Sequence, residues 1–259
     1  MLKDIVTIGG LTIHGYGLMI AIGFLLAVLV AMYRAKRYGL EQEIIIDIAL
    51  IAIIGGFIGA KLLFVIVSFK DFLENPLEVL GSEGFVVYGG IISGVLLCMF
   101  YCIHKKVRFS SYFDIVMPSI SIAQGFGRIG CFMAGCCYGS ETDCFLGVEF
   151  PANSMAPTGV KLLPTQLFSA AGDFVIAGVL ILFAKKAKYK GDTAAMYLAL
   201  YGIGRFLIEF LRDDERGAVG FLSTSQFISI FFVIIAVILF IANKKKGLPA
   251  DRIVEKTME

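Results

Sequence analysis

The sequence predicts an all-α, polytopic membrane protein with about seven transmembrane helices, its N-terminus outside and its C-terminus in the cytoplasm. Three observations predict it. Apolar residues make up 58% of the chain and charged residues 17%, against about 45–50% and 25% in soluble domains, and the mean hydropathy is +0.85. The apolar residues fall in runs long enough to cross a bilayer, which takes about 20 residues of helix. The Lys and Arg residues gather in alternate loops between those runs, the pattern that sets membrane orientation. No nucleic-acid motif, P-loop, dinucleotide fingerprint or HExxH sequence is present.

The first run, 16–33, is preceded by Lys3, Asp4, Gly9, Gly10 and His14. These break any early apolar stretch, so no cleavable leader is expected and the run stays in the mature protein. The second, third, fifth, sixth and seventh runs are 44–69, 85–103, 166–184, 193–211 and 220–243. The fourth, 112–124, is short and carries Asp114, Pro118, Ser119, Ser121 and Gln124. It reads as a short or re-entrant helix buried among the others. It must still cross, because only then do Arg34, Lys36 and Arg37, Lys105, Lys106 and Arg108, the four lysines of 185–190, and the basic tail share one side. That side holds fifteen Lys and Arg residues against six in the opposite loops, so it is the cytoplasmic one. Short connections imply one transmembrane domain over 1–243, with an outer loop at 125–164 and a solvated cytoplasmic tail at 244–259.

Ionisable groups at membrane depth are costly and mark function. Lys61 stands in the second run behind Gly55, Gly56, Gly59 and Ala60. Arg205 and Glu209 stand in the sixth, spaced i, i+4 on one helix face. Each has a structural reading as well: a packing ion pair for Arg205 and Glu209, and a side chain reaching for the interface for Lys61. In the orientation above, His14, Tyr16, Lys61, Tyr88, Gly89, Gly90, Arg128, Gln166, Glu209, Arg212 and Gln226 all approach the outer leaflet. Helix ends contributing polar groups at one depth predict an outward-facing cavity, and its cations suit an anionic lipid head group. Arginine offers a fork of donors matched to phosphate.

The densest motif is GFGRIGCFMAGCCYG, from Gly125 to Gly139. Its glycines around Arg128 suit either a phosphate cradle or close helix contacts. Cys131, Cys136, Cys137 and Cys144 cluster here. An outer location permits disulfides, and the spacing lacks paired CxxC knuckles. Disulfides or free thiols rank first, a metal behind them. Cys98 and Cys102 read as apolar packing.

Together these motifs resemble the prolipoprotein diacylglyceryl transferases, from the first run to the last. The resemblance rests on His14-Gly15-Tyr16-Gly17, the small residues leading to Lys61, Tyr88-Gly89-Gly90, Gly127-Arg128-Ile129-Gly130 through Gly139, Pro164-Thr165-Gln166-Leu167, Tyr201 through Arg205 to Glu209, and Gln226. Several positions depart from the family pattern. Lys61 replaces an Arg, Tyr88 a His, Cys131 and Ala134 two Asn, and Cys136 a Glu. Leu163, Phe168 and Ser169 replace the outer members of a His-Pro-x-Gln-Leu-Tyr-Glu motif.

The resemblance implies transfer of a diacylglyceryl group from phosphatidylglycerol to the lipobox cysteine of a prolipoprotein signal peptide, at the outer face of a bacterial cytoplasmic membrane. It implies catalytic roles for Tyr16, Tyr88, Arg205 and Glu209. Substrate binding would fall to Arg128, Lys61, Gly89, Gly90, Gly139 and Gln166. No metal, organic cofactor or nucleic acid is expected. A related transferase with another acceptor, or with a cysteine relay, and a lipid transporter remain alternatives on the residues alone. The absence of evident inverted repeats argues against the transporter.

Overall fold

The computed structural model describes residues 4–8, 11–82, 84–152, 154–213 and 217–254. Lys3, Gly9 and Gly10, named above, and the charged residues Glu83, Arg216 and Lys256 lie outside them.

A short hairpin, β1 (Asp4–Ile8) with β2 (Leu11–His14), leads into α1 (Gly15–Arg37). Then come α2 (Gln42–Val67), two short helices α3 (Phe69–Glu74) and α4 (Pro76–Gly81), α5 (Val87–His104) and α6 (Phe109–Ala134). A loop holding the two-residue strands β3 (Val148–Glu149) and β4 (Lys161–Leu162) precedes α7 (Thr165–Ala184). α8 (Asp192–Ile208) runs into a 3-10 turn at Glu209–Leu211. A small hairpin, β5 (Ala218–Val219) with β6 (Leu222–Ser223), then leads to α9 (Thr224–Lys246). Seven of the helices, α1, α2 and α5–α9, are long and apolar enough to cross a membrane. Their outward faces carry exposed Leu25, Leu29, Phe57, Phe100, Val175 and Ile238, the inverse of a soluble protein's surface.

α6 is where the structure departs most from expectation. The short fourth run is a full 26-residue helix, and the glycine-rich segment assigned to the outer loop is helical as far as Ala134. The loop therefore starts at Gly135, whose φ of 74° ends the helix. Pro118 sits inside the helix without stopping it. The polar residues that made the run look weak face neighbouring helices. Ser121 Oγ donates to the carbonyl of Asp173 at 2.7 Å, and Gln124 Oε1 accepts from the Tyr197 hydroxyl at 2.8 Å. Asp114 accepts from the backbone N–H groups of Gly191 and Ala194 at the start of α8, at 2.6 and 2.9 Å. Gly125 and Gly130 are contact surfaces, whereas a Cβ on Gly127 would meet nothing within 4 Å. A Cβ on Gly125 would lie 2.7 Å from Phe174, and one on Gly130 would lie 3.1 Å from Tyr16.

The second close contact joins α2 to α5. A Cβ on Gly89 would lie 2.3 Å from the Gly59 carbonyl oxygen, and one on Gly90 2.8 Å from that of Gly56. Ser93 Oγ donates to Gly55 at 2.8 Å. Small residues here let two backbones meet, and this contact supplies packing where the lipid gives no hydrophobic drive.

The basic clusters ending α1, α5, α7 and α9 collect at one end of the bundle. There the tail departs from the solvated end expected for it. Helix α9 continues to Lys246, and the chain after it is held by backbone bonds. Lys190 N–H donates to Leu248, Ala250 N–H to Lys188 and Val254 N–H to Arg37, at 3.0, 3.0 and 2.8 Å. Asp251 pairs with Lys190, which also donates to Ser111 at 2.8 Å.

Candidate active site

At the opposite end, α6, α7 and α8 enclose a cavity of about 220 Å³. Its polar lining is Arg128 from α6, Ser169 and Asp173 from α7, and Tyr201 and Arg205 from α8. Helix geometry explains the meeting. Both α6 and α8 start at the basic end, and at 1.5 Å per residue Arg128 stands about 29 Å, and Arg205 about 20 Å, along them. α7 runs the other way, so Ser169 and Asp173 lie in its first turns.

Arg205 pairs with Glu209 at 2.8 Å and donates through its second terminal nitrogen to Ser225 Oγ of α9 at 2.7 Å. Glu209 is buried at 8% exposure. This fixes one guanidinium from two sides. Arg128 lies in the field of Tyr201, Cys131, Cys137 and Asp173. Asp173, equally buried, faces the charges of both arginines. The carboxylate offsets part of the repulsion that would otherwise keep two guanidiniums apart in a low-dielectric cavity.

Tyr16, at the start of α1, is half exposed and lies in the field of Arg128 and the cysteines. Tyr88 opens α5, also half exposed, in the field of Arg205 and Tyr201. The structure thus brings Arg128 and Arg205 to one cavity and pairs Glu209 with Arg205, while Tyr16 and Tyr88 feel those charges without lining the cavity.

It does not bring Lys61, Gly89, Gly90, Gly139 or Gln166 to the cavity lining, and it gives each another task. Lys61 Nζ donates to the carbonyls of Ser82 and Gly84, at 2.7 and 3.3 Å, and sits over the Phe64 and Phe85 rings. Its donors are spent on the loop after α4. Gly89 and Gly90 face the α2 backbone, where no phosphate fits. Gly139 forms a β-bridge with Arg212, and a Cβ there would lie 2.5 Å from the Leu211 carbonyl oxygen. It ties the loop to the end of α8. Gln166 is buried and donates to the Cys136 carbonyl at 2.7 Å.

Sequence reasoning passed over Asp173 and gave no role to Tyr201 or Ser169. The signal for Asp173 was present: a carboxylate inside the apolar run SAAGDFVIAG.

The cysteines divide. Cys144 is exposed and apart. The sulfurs of Cys131, in the last turn of α6, and of Cys136 and Cys137 just beyond it all lie within 4.8 Å of one another. Hydrogen bonds from the other two thiols, with Arg212 and Arg128 nearby, hold the Cys137 thiol well below its ordinary value. Hydrogen bonds to Cys131 and Cys137, with burial, push the Cys136 thiol up.

The chain is similar to known proteins along most of its length. The family described as prolipoprotein diacylglyceryl transferase matches residues 3–242. A phosphatidylglycerol--prolipoprotein diacylglyceryl transferase of Clostridium tetani is 46% identical over 233 residues, covering 89% of this chain and 93% of that relative. One from Clostridium perfringens, designated number 2, is 44% identical over 240 residues, 92% and 94% of the two chains. One from Finegoldia magna is 35% identical over 248 residues, 95% and 97%.

Proposed function

Since the chain belongs to the prolipoprotein diacylglyceryl transferase family, we propose that the cavity between α6, α7 and α8 binds phosphatidylglycerol and transfers its diacylglyceryl group to the lipobox cysteine of a prolipoprotein. The observation that carries the assignment is the pair Arg128 and Arg205 lining one cavity.

The orientation that fits has the basic end in the cytoplasm, by the positive-inside rule. The N-terminus and the cavity then face outside, where the secreted acceptor and the outer-leaflet lipid meet. Phosphatidylglycerol enters from the bilayer with its phosphate between the two guanidiniums. Glu209 and Ser225 aim Arg205, and Asp173 balances the charge before the lipid arrives. The acceptor sulfur attacks the glyceryl carbon that bears the phosphate ester. The C–S bond forms as the C–O bond breaks, and glycerol phosphate leaves with the electron pair. Charge grows on the departing phosphate, so fixed cations beside it stabilise the transition state more than the ground state. Tyr16, in the field of Arg128, and Tyr88, in that of Arg205, orient the reactants. A phenol such as that of Tyr88 is a poor general base for a thiol, so the thiol proton needs another route.

Purified protein, phosphatidylglycerol and a lipobox peptide test the reading. The expected product is the peptide plus one diacylglyceryl unit by mass spectrometry. An unmodified peptide with well-folded protein would refute it.

A further inference from the structure

We propose that Cys131, Cys136 and Cys137 form a three-thiolate site for Zn²⁺ whose fourth position takes the acceptor thiol. This rests on the transferase reading and names the group that deprotonates the nucleophile.

The geometry comes first. A tetrahedral centre with Zn–S bonds of about 2.3 Å holds its sulfurs about 3.8 Å apart. The three sulfurs here all lie within 4.8 Å of one another, so small side-chain rotations close the site. The backbone is built to present them. Gly135 and Cys137 both take positive φ, 74° and 64°, folding the chain after α6 back over its last turn. Cys136 N–H donates to the Cys131 carbonyl at 3.2 Å. The start of α7 then pins the turn from outside. Gln166 Nε2 donates to the Cys136 carbonyl at 2.7 Å and Thr165 Oγ1 to that of Cys137 at 2.9 Å. Both residues are fully buried, and supports of this kind fix ligand geometry.

Charge agrees with geometry. Three thiolates with one Zn²⁺ leave a net charge of minus one, and Arg128 and Arg212 act on Cys137 with the opposite sign. Soft sulfur donors select zinc over the hard cations.

The number of ligands sets the role. Among the described residues no fourth Cys, His, Asp or Glu joins the cluster. Closed structural zinc sites use four protein ligands, and catalytic ones use three and leave a position open. All three cysteines are partly exposed, and Arg128, which lines the cavity, feels the charge of Cys131 and Cys137.

The step balances without an oxidant or reductant. A thiol that coordinates Zn²⁺ is deprotonated outright, and its proton passes to water at the cavity mouth. The zinc-bound sulfur supplies the electron pair for the new C–S bond. The C–O bond breaks, and its pair stays on glycerol phosphate beside Arg128. The thioether is a weaker ligand than a thiolate and dissociates. The nucleophile therefore needs no side-chain base.

The test uses the full-length protein purified in detergent under reducing conditions. Elemental analysis should find one zinc per chain. Cd²⁺ added to chelator-stripped protein should give a saturable sulfur-to-cadmium charge-transfer band at one equivalent. Cys136→Ser and Cys137→Ser should lose that band, and Cys144→Ser should keep it. Gln166→Ala should weaken the metal affinity about 10-fold or more. Stripping should lower transfer to the lipobox peptide by about 100-fold or more, the scale of a lost general base, and Zn²⁺ should restore it. Absence of the band in folded wild-type protein overturns the site. So does a disulfide within the triad, found after rapid alkylation. Stripping that leaves transfer intact overturns the catalytic role. A protein that binds one metal but never modifies the peptide upholds the site and overturns the transferase reading.

Discussion

Arg205 stands out in the sequence as a guanidinium in an apolar run and Arg128 as one among glycines, and both side chains line one cavity. Asp173 was not legible in this way, although it too stands in an apolar run. Its meaning depends on α7 running antiparallel to α6 and α8, which places its first turns against the arginines, and no local pattern states that. Lys61 shows the opposite error. A cation at membrane depth suggested substrate, but nearby carbonyls at Ser82 and Gly84 already use its donors. These placements separate three substitutions. Arg128→Lys should lower kcat/KM at least about 100-fold, because an ammonium point charge does not reproduce the planar fork. Peptide lipidation rates check it. Lys61→Met should leave kcat and KM within about twofold while lowering the melting temperature by a few degrees, measured on the same preparation. Asp173→Asn removes a carboxylate that competes with phosphate for both guanidiniums. It should lower the KM for phosphatidylglycerol without raising kcat, as steady-state kinetics over lipid mole fraction would reveal.

At the scale of elements, α6 was the hardest to read and α2 with α5 the easiest to misread. The polar and glycine content of α6 imitates a loop, because a helix buried on several sides by other helices needs no continuous apolar face. Its Ser121, Gln124 and Asp114 bond to α7 and α8 instead of to water. In α2 and α5 the glycines were visible, but whether a ligand or a backbone filled the space they leave was not. The contact distances decide it, and they carry a prediction. Gly89→Val places a branched side chain where even a Cβ would be 2.3 Å from the Gly59 carbonyl oxygen. The helices must then separate, and the loss should be about 3 kcal/mol or more. Gly178→Ala on α7 meets nothing within 4 Å. It should be neutral or stabilise by up to about 1 kcal/mol through helix propensity. Unfolding in mixed detergent with increasing denaturing surfactant compares the pair directly, and equal losses would contradict the close α2–α5 contact.

Across the whole molecule, charge divides the bundle into two working ends. One gathers the basic clusters; the other holds the cavity and the thiols. Alternation of Lys and Arg along the chain made that division legible before any contact was known, since it depends only on the order of the runs. The return of the tail across the basic end was hidden, because its polar composition matches a solvated segment and its anchors are mostly backbone bonds. Three such bonds join residues 248–254 to the ends of α1 and α7 and to the turn before α8. The partly buried Lys190–Asp251 pair adds another tie, with 12% and 23% of the two side chains exposed. At about 1 kcal/mol for each backbone bond and up to about 1 for the ion pair, the strap contributes roughly 2–4 kcal/mol. Ending the chain after Gly247 should lower stability by that amount. The cavity lies at the far end, so transfer by the folded fraction should keep its KM and its kcat. Asp251→Asn alone should cost less than about 1 kcal/mol, because the backbone bonds remain. Thermal unfolding beside peptide lipidation at low temperature separates the two effects. A truncated chain that keeps full stability would show that the tail merely rests on the bundle. One that loses kcat while still folded would place the tail in the catalytic cycle.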